Sequence, residues 1–470
     1  MTRRPMLRAL LPRLLLAFFP VVSSHASNSP PARPNILIVL ADDLGFGDVG
    51  FTGAKDIRTP HLDRLAATGV RLDRFYACPV CSPTRAGLLT GRWPIRYGLM
   101  RAVIPPWSEF GLPASERILP ELLADAGYAR RGMVGKWHLG HATRAMLPPQ
   151  RGFTYFYGHY NGAIDYFTHE REGEIDWHDG ARTVREAGYA TDLLAREAVR
   201  FIRESPAGQP WLLYAAFNSP HDPLQAKDAD LEKYSHLPGR RRTYAAMVDN
   251  LDQAVGQLLA VVEERSDSAN TLVLFMSDNG GLPAFASNAP WRDGKFSVYE
   301  GGIRVCAALR WPAGGLFGGR RSDTMLGYID VVPTILRAAG VALPAGAAAL
   351  DGVDLLPILR GDAPVPDRAW YSYFAQGNKP PGASVMHGDW KLVQIGGDVL
   401  SATGAEHQEL YRLDRDPREE RNLAAEHPER VRELAAKLTA FRTWQVGEGV
   451  TEYGAGRSGF KAPKDWVIAK

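Results

Sequence analysis

Four short apolar segments constrain most strongly what this chain of 470 residues can fold into. They cover residues 35–41, 131–135, 211–217 and 271–276, and polar or charged residues follow each of them closely. Uninterrupted apolar segments of this length are typical of strands in a parallel sheet that is buried on both faces. Helical patterns lie between them, and this alternation predicts an α/β fold with a doubly wound, mostly parallel sheet. We predict helices at residues 60–67, 119–126, 191–204 and 244–264.

The residues after the apolar segments are unusually polar for positions so close to a core. In doubly wound sheets, ligands bind at the carboxyl ends of the strands. Charged groups at four such ends are difficult to explain by packing, so we predict a binding site there. These residues are Asp42 and Asp43, Lys136 and His138, His221, and Asp278 and Asn279.

Oxygen ligands dominate two of the four strand ends. Asp42 and Asp43 follow the first apolar segment, and Asp278 and Asn279 lie just beyond the fourth. Carboxylates that converge in a buried site repel one another unless a cation lies between them. One Asp-Asp pair alone would be interpreted as helix capping or a loop, but two sets after two strands favour a metal ion. Because all the ligands are oxygens, Ca²⁺ or Mg²⁺ is predicted rather than Zn²⁺.

Cys81 begins a segment, Cys-Ser-Pro-Thr-Arg, that has the features of a helix start. Proline is favoured in the first turn of a helix, and the unpaired N–H groups at a helix N-terminus attract anions. A reactive side chain at Cys81, with Arg85 one turn further on, would hold an oxyanion against a nucleophile.

A second group of predicted site residues is cationic. Lys136 and His138 are two residues apart on an extended segment and therefore project to the same side. Together with Arg85, His221 and Lys295, they would stabilise developing negative charge and transfer protons near neutral pH. A lone lysine or histidine would be interpreted as a core or surface residue, so this hypothesis depends on their convergence.

Cys78 and Cys81 also form a C-x-x-C pair, which is the spacing of redox proteins. The chain has three cysteines, too few for a disulfide framework in an exported protein of this size. A redox or glycan-binding protein without enzymatic activity, with Cys78 and Cys81 joined by a disulfide, is therefore an alternative hypothesis.

Two short segments have the form of family signatures. Residues 81–85 are followed by Leu-Thr-Gly-Arg at residues 89–92, and Gly-Lys-Trp-His-Leu-Gly occupies residues 135–140. With these segments the chain resembles the type I sulfatases of the alkaline phosphatase superfamily, whose first signature is C-x-P-x-R…L-T-G-R. The resemblance covers about residues 33–445. Within the family, the chain looks most like the arylsulfatase B group, the N-acetylgalactosamine-4-sulfatases.

The resemblance implies a modified residue and a metal ion. Cys81 would be oxidised to formylglycine (3-oxoalanine) by a formylglycine-generating or other sulfatase-maturating enzyme, and the hydrated aldehyde would be the nucleophile. One Ca²⁺ per chain would be held by Asp42, Asp43, Asp278, Asn279 and the modified residue 81.

The resemblance also implies roles for the cationic residues. Arg85 and Lys136 would steady the hydrate and the metal-bound oxygens, and Lys295 would bind the sulfate. His138 would assist breakdown of the sulfated intermediate, and His221 would protonate the departing alcohol.

The expected substrate is a sulfated carbohydrate of the N-acetylgalactosamine sulfate type, with aryl sulfates as surrogates. Aromatic and polar residues at 157–166 and 291–292 would line a sugar subsite or pack within loops. The alternative within the same superfamily is a phosphomonoester or phosphonate-ester hydrolase.

The first 26 residues have the pattern of a cleavable signal peptide, with arginines before a short apolar run and small residues after it. We therefore expect a secreted or periplasmic protein without a transmembrane anchor. The formal net charge of +3 is too balanced to indicate a nucleic-acid partner. The predicted organisation is a signal peptide (1–26), a linker (27–34), a catalytic domain (35–345), a C-terminal subdomain with a small antiparallel sheet and a helix (346–446), and a tail without an assigned role (447–470).

Overall fold

The computed structural model describes residues 1–2, 33–377, 379–401, 403–447 and 449–469. Apart from residues 1–2, the predicted signal peptide lies outside the described residues, as does most of the predicted linker. Residues 33–470 form one compact unit, and the predicted domain boundary at residue 345 stays a prediction. None of the helices in the described part of the chain has the length and apolar character that a membrane-spanning segment needs.

Helices separate the central strands of the chain, whereas several shorter strands follow one another directly. The helices are α1 (Pro60–Thr68), α2 (Cys81–Thr90), α3 (Leu119–Asp125), α4 (Ala190–Glu204), α5 (Asp228–Lys233), α6 (Gly239–Glu263), α7 (Glu300–Ile303), α8 (Val331–Ala338), α9 (Leu356–Arg360) and α10 (Pro428–Arg442). The strands are β1 (Asn35–Ala41), β2 (Val70–Leu72), β3 (Phe75–Tyr76), β4 (Arg130–Lys136), β5 (Tyr155–His159), β6 (Glu170–Arg171), β7 (Glu174–Ile175), β8 (His178–Asp179), β9 (Arg182–Thr183), β10 (Trp211–Ala216), β11 (Thr271–Ser277), β12 (Arg304–Val305), β13 (Ala307–Arg310), β14 (Arg320–Ser322), β15 (Leu326–Gly327), β16 (Ala369–Phe374), β17 (Gly382–His387), β18 (Trp390–Ile395) and β19 (His407–Arg412).

A ten-stranded sheet has the order β14-β2-β13-β11-β1-β10-β4-β5-β8-β9. The four apolar segments of the sequence are its adjacent central strands β11, β1, β10 and β4, which pair in parallel. Antiparallel strands, β13 on one side and β8 on the other, extend the sheet outward. The predicted mostly parallel sheet is therefore confirmed, and the parallel pairing brings its polar strand ends to one edge.

The helices resemble those predicted from the sequence, with one difference in length. Helix α6 begins at Gly239, five residues before the predicted start, because Pro238 is extended and the polar residues that follow it continue the helix. Helix α2 begins at Cys81, has Pro83 in its first turn and ends before Gly91, whose φ of 70° is left-handed. A glycine adopts this conformation without the steric cost of a side chain.

The C-terminal part contains a second sheet, with β16, β17, β18 and β19 in antiparallel order. Helix α10 packs on this sheet through the buried side chains of Leu434, Leu438 and Phe441. The ring of Phe441 stacks on Tyr371 at 4.5 Å and contacts the edge of Trp93 at 6.1 Å. The predicted small antiparallel sheet with a covering helix is thus confirmed, and aromatic side chains join it to the main core.

A buried ion cluster joins the second sheet to α7. Lys391 on β18 pairs with Glu300 at 2.9 Å and with Glu419 at 2.8 Å, and all three side chains are buried. Tyr76 donates a hydrogen bond of 2.9 Å to Glu300. Burial and the neighbouring Glu300 raise the pKa of Glu419 to about 7.

We expect the substitution Lys391→Met to destabilise the protein by about 3–5 kcal/mol, because it leaves the buried Glu419 without a cation and Glu300 with Arg304 alone, at 3.3 Å. When the pKa of a carboxyl group is higher in the folded than in the unfolded state, the protein becomes less stable as the pH rises and the group ionises. The loss should therefore be larger at pH 8 than at pH 5, where protonation relieves the repulsion. Urea unfolding at both pH values measures it. The exposed Lys55→Met is the control and should change stability by about 0.5 kcal/mol or less.

The tail, which had no assigned role from the sequence, packs against residues of the N-terminal part of the chain. The N–H of Val450 donates to the carbonyl of Gly98 at 2.8 Å, and the indole of Trp107 donates to the carbonyl of Tyr453 at 2.8 Å. Trp466 is buried, and its ring packs against His141 at 5.2 Å. The tail therefore forms part of the same compact unit as the sheet.

Candidate active site

The predicted site residues meet at the carboxyl edge of the central strands, beside the N-terminus of α2. Parallel pairing of β1 with β10 and β11 places the residues after these strands next to one another. All but one of the predicted side chains are buried; the exception, His221, is 19% exposed. The buried ones are Asp42, Asp43, Cys81, Arg85, Lys136, His138, Asp278, Asn279 and Lys295.

Each of the three buried carboxylates is paired with a cation. Asp42 accepts a hydrogen bond of 2.5 Å from Lys136. Asp43 accepts one of 2.7 Å from Lys295. Asp278 accepts two hydrogen bonds from the guanidinium of Arg85, one of 3.1 Å from Nε and one of 2.8 Å from Nη2. Opposite charges thus compensate one another within the protein.

Asp43, after β1, is held close to Asp278 and Asn279, after β11. Asp43 has a left-handed φ of 64°, and its N–H donates to Oδ1 of Asp278 at 3.2 Å. The Nδ2 atom of Asn279 donates to Oδ1 of Asp43 at 2.8 Å. Lys295 holds the pKa of the Asp43 carboxyl down at about 2 against the opposing effect of burial. Asp43 is therefore ionised at neutral pH.

Four side chains form a group that could hold a metal ion. Asp42, Asp43, Cys81 and His221 each offer one ligand atom, and these atoms lie within 4.8 Å of one another. Three of the four are ligands predicted from the resemblance, whereas His221 was assigned to proton transfer. Asp278 and Asn279, the other predicted ligands, lie in contact with Asp43.

Cys81 is the first residue of α2 and lies against the carboxylates. Its Sγ atom is 3.5 Å from Oδ1 of Asp42. Burial raises the pKa of the Cys81 thiol to about 12, although Lys136 and Lys295 oppose this effect. Cys78 points elsewhere and donates to the hydroxyl of Tyr328 at 3.1 Å. Both cysteines are free, so the disulfide of the redox hypothesis is not formed in this structure.

His138 is fixed by contacts on several sides. Its Nε2 atom lies 2.9 Å from the carbonyl of Ile104, and its own carbonyl accepts a hydrogen bond of 3.0 Å from Ser82 on α2. A side chain at Gly162 would approach the His138 ring to 2.5 Å, so glycine is required there. Burial and the neighbouring Lys136 hold the pKa of His138 well below its usual value. The imidazole is therefore neutral.

His221 is the partly exposed member of the site. Its Nδ1 atom lies 2.5 Å from the carbonyl of Asp222, which fixes the ring orientation. Its Nε2 atom lies 3.7 Å from the Asp43 carboxylate. Burial and Lys295 lower the pKa of His221 to about 3, despite the opposing charge of Asp43. If Nδ1 carries the proton in the contact with Asp222, Nε2 is free to interact with a ligand.

A cavity of about 500 Å³ opens above these residues. Cys81, His138, His221 and Lys295 line it. Its other walls include side chains from distant parts of the chain that the sequence analysis did not identify, since no motif or spacing relates them to the signatures. These are Arg171, Phe296, Gln376 and Tyr453.

The residues that the sequence suggested for a sugar subsite mostly pack within the protein. The hydroxyl of Tyr166 donates to the carbonyl of Asn218 at 2.6 Å. Trp291 contacts the edge of Phe46 at 5.3 Å, and Arg292 donates to Tyr411 at 2.7 Å. Of the segment 157–166, Gly162 and Ala163 line the cavity. Loop packing, the other interpretation of these residues, accounts for the contacts of Tyr166, Trp291 and Arg292.

Comparisons with known proteins show which family the chain resembles. The family model described as "Sulfatase" matches residues 34–341, and that described as "N-sulphoglucosamine sulphohydrolase, C-terminal" matches residues 288–443. The N-acetylgalactosamine-6-sulfatase of Mus musculus is 35% identical over 83% of this chain and 82% of its own length. Arylsulfatase A of Homo sapiens is 32% identical over 83% of each. The crystal structure of Ps i-CgsB is 30% identical with a TM-score of 0.82, covering 90% of this chain and 96% of its own.

Proposed function

Because the chain belongs to the sulfatase family and is a sulfuric ester hydrolase, we propose that it removes sulfate from carbohydrates, using a formylglycine at residue 81 and a Ca²⁺ ion. The observation that carries this proposal is that Cys81 lies beside carboxylates paired with cations, at the base of one cavity. Sulfatases hydrolyse sulfate esters, and the site residues would supply a nucleophile, metal ligands and cations for that reaction.

The state of Cys81 supports its role as a precursor of formylglycine. A thiol with a pKa of about 12 is almost entirely protonated at neutral pH, and the thiolate is the nucleophilic form. The cysteine itself is thus poorly suited to attack sulfur. When a maturation enzyme has converted residue 81, its hydrated aldehyde would supply the attacking oxygen.

The oxygen donors fit Ca²⁺. Asp42, Asp43 and Asp278 are buried carboxylates, and Oδ1 of Asn279 is buried without a hydrogen-bond partner among the described residues. Buried polar atoms are normally paired, so an unpaired oxygen here is consistent with a cation ligand. When bound, Ca²⁺ would offset negative charge on the transferring group. We propose these four residues and residue 81 as its ligands.

The remaining residues have separable roles in this proposal. Lys295 lines the cavity and would bind oxygens of the sulfate group. Arg85 and Lys136 hold Asp278 and Asp42 and lend positive charge near residue 81. His221, which is partly exposed, would be the general acid for the departing alcohol. The negative charge of a bound sulfate ester would raise its pKa so that Nε2 carries the proton that is transferred. His138 would assist release of the sulfate.

A carbohydrate fits the walls of the cavity. Phe296 and Tyr453 offer aromatic rings, and Gln376 offers an amide. Two of the similar proteins also favour a carbohydrate substrate: an N-acetylgalactosamine-6-sulfatase, and Ps i-CgsB, which was solved in complex with k-i-k-neocarrahexaose. We propose a sulfated sugar of the N-acetylgalactosamine type, with aryl sulfates as surrogates.

We further propose that the protein is exported, as its N-terminal pattern predicts, and that a sulfatase-maturating enzyme is its partner. The catalytic segment 35–345 would carry the chemistry, and the segment 346–446 would support it. Mature protein purified from the culture medium or periplasm should begin near residue 27.

The rival within the superfamily is phosphate ester hydrolysis. We expect kcat/KM for 4-nitrophenyl sulfate to exceed that for 4-nitrophenyl phosphate, because the relatives named above are sulfatases. Steady-state kinetics on the two esters with one enzyme preparation decides between them. Mass spectrometry of the peptide that contains residue 81 should show formylglycine in the same preparation. Faster hydrolysis of the phosphate would contradict the proposal.

A further inference from the structure

Arg171 lines the substrate cavity from the hairpin formed by β6 and β7. Its side chain is 25% exposed, and its Nε atom is buried without a hydrogen-bond partner. The neighbouring acid, Glu172, is 3.6 Å from Nε, which is beyond hydrogen-bond distance. In the described parts of the chain, no residue accepts a hydrogen bond from this guanidinium. A buried N–H group without an acceptor is costly, so an acceptor from a ligand would relieve it.

The tail fixes the backbone that carries Arg171. The indole N–H of Trp466 donates to the carbonyl of Arg171 at 2.9 Å, and Trp466 is almost completely buried. On the opposite strand of the hairpin, Glu174 accepts hydrogen bonds from the N–H of Asp465 at 2.9 Å and from Lys464 at 3.0 Å. Both strands are thus held by residues almost three hundred positions later. A guanidinium on a fixed backbone loses less entropy when it binds.

The other charged side chains of the cavity are already compensated. Asp222 pairs with Arg240 at 2.9 Å, and Lys295 pairs with Asp43 at 2.7 Å. Gln376 accepts a hydrogen bond of 3.0 Å from the N–H of Val103 through Oε1, which leaves its amide nitrogen as a donor. Beside Arg171, the cavity therefore offers donors and a positive charge without a strong partner.

We infer that Arg171 is a specificity-determining residue that binds a second anionic group on the substrate, in addition to the sulfate that is cleaved. This inference rests on the proposed function. The group is an oxyanion with the planar or forked geometry that suits two guanidinium N–H donors, as in a sulfate ester or a carboxylate. The protein would thus select sugars that carry two negative charges.

The test compares Arg171→Gln with the wild type on substrates that differ in their second charge. 4-Nitrophenyl sulfate and N-acetylgalactosamine 6-sulfate carry one anionic group. N-Acetylgalactosamine 4,6-disulfate carries a second sulfate, and a disaccharide with a hexuronic acid beside the 6-sulfated sugar carries a carboxylate. In Arg171→Gln we expect kcat/KM to fall about 10- to 100-fold for at least one of the two doubly charged substrates, mainly through a higher KM. For the two substrates with a single anionic group, kcat/KM should change less than about threefold.

The two doubly charged substrates identify the source of the anion. A loss confined to the disulfate assigns a sulfate ester, and a loss confined to the uronate disaccharide assigns a carboxylate. Arg171→Lys should recover part of the loss, because a lysine keeps the charge without the fork. Trp466→Phe should show the same selectivity with a smaller loss, since it removes the hydrogen bond to the Arg171 carbonyl.

Arg182→Gln is the matched control, since Arg182 is 76% exposed on β9 and its loss changes the net charge equally. It should leave all four substrates unaffected. An equal loss of kcat/KM on every substrate, or no loss, in Arg171→Gln would overturn the inference. Failure of the wild type to hydrolyse any sulfate ester would instead overturn the proposed function. Even if no sulfate ester is hydrolysed, the subsite can be tested by calorimetry, which measures the affinity of the disulfate for Cys81→Ala and for the double variant with Arg171→Gln. Equal affinities would overturn the inference.

Discussion

The substitution Cys81→Ala is expected to abolish turnover of sulfate esters, with a loss of at least about 10⁴-fold in kcat. Alanine cannot be converted to formylglycine, so no group at this position can attack sulfur. The protein should still fold, because the thiol makes one weak contact of 3.5 Å with Asp42. Kinetics on 4-nitrophenyl sulfate and thermal unfolding of the same samples measure the two effects separately.

Cys78→Ala provides the matched control for this prediction. Cys78 is a buried cysteine three residues earlier, and it contacts Tyr328 rather than the carboxylates. Its loss should leave turnover within about threefold and reduce stability by about 1–2 kcal/mol. Equal loss of activity in both variants would favour a paired C-x-x-C function. Retained activity in Cys81→Ala would contradict the assignment of residue 81.

The substitution Asp43→Asn is expected to weaken Ca²⁺ binding and to lower turnover on the order of 10³-fold. Asp43 is ionised and contacts Lys295, Asn279 and Asp278, so its charge is central to the site. The wild type should gain about 2.7 kcal/mol of stability at a Ca²⁺ concentration of one hundred times Kd, and the variant should lose this gain. Thermal unfolding with EDTA and with added Ca²⁺ measures it.

Asp48→Asn makes the same chemical change outside the site. Asp48 is also buried, and it pairs with Arg241 at 2.7 Å rather than with a site lysine. This variant should keep the stabilisation by Ca²⁺ and most of the turnover. A Ca²⁺ response that survives in Asp43→Asn, or one that is absent from the wild type, would contradict the proposed metal site. EDTA treatment over several hours should lower wild-type activity, and Ca²⁺ should restore it.

Much of the sheet could be predicted from the sequence because its signal is local. The segments that became β1, β10 and β11 are almost continuously apolar, as a parallel sheet buried on both faces requires. β4 is apolar only at its centre, between two arginines and a lysine. Their adjacency was indicated by the polar residues after them, since carboxylates such as Asp42 and Asp278 at the ends of buried strands suit a shared site that also supplies cations. The start of α2 at Cys81 was also a local signal, given by Pro83 in its first turn.

The walls of the cavity could not be predicted, for a physical reason. Arg171, Gln376 and Tyr453 come from a hairpin, a loop and the tail, and each is placed by long-range contacts such as that of Trp107 with the Tyr453 carbonyl. Tertiary packing decides these positions, and short sequence windows carry no record of it. The same holds for Lys391, whose isolated sequence gives no sign that two buried glutamates surround it.

The place of the tail in the chain has a consequence for biosynthesis. Residues 449–469 leave the ribosome after the sheet and α2, yet Tyr453 lines the cavity and Trp466 holds the hairpin of Arg171. The N-terminal sheet can begin to fold while these residues are still being added. The proposed substrate pocket is therefore completed only after residues 449–469 have emerged, whereas Cys81 and the carboxylates emerge much earlier. During that interval, the nascent chain contains Cys81 and the carboxylates but lacks the cavity wall that the tail provides.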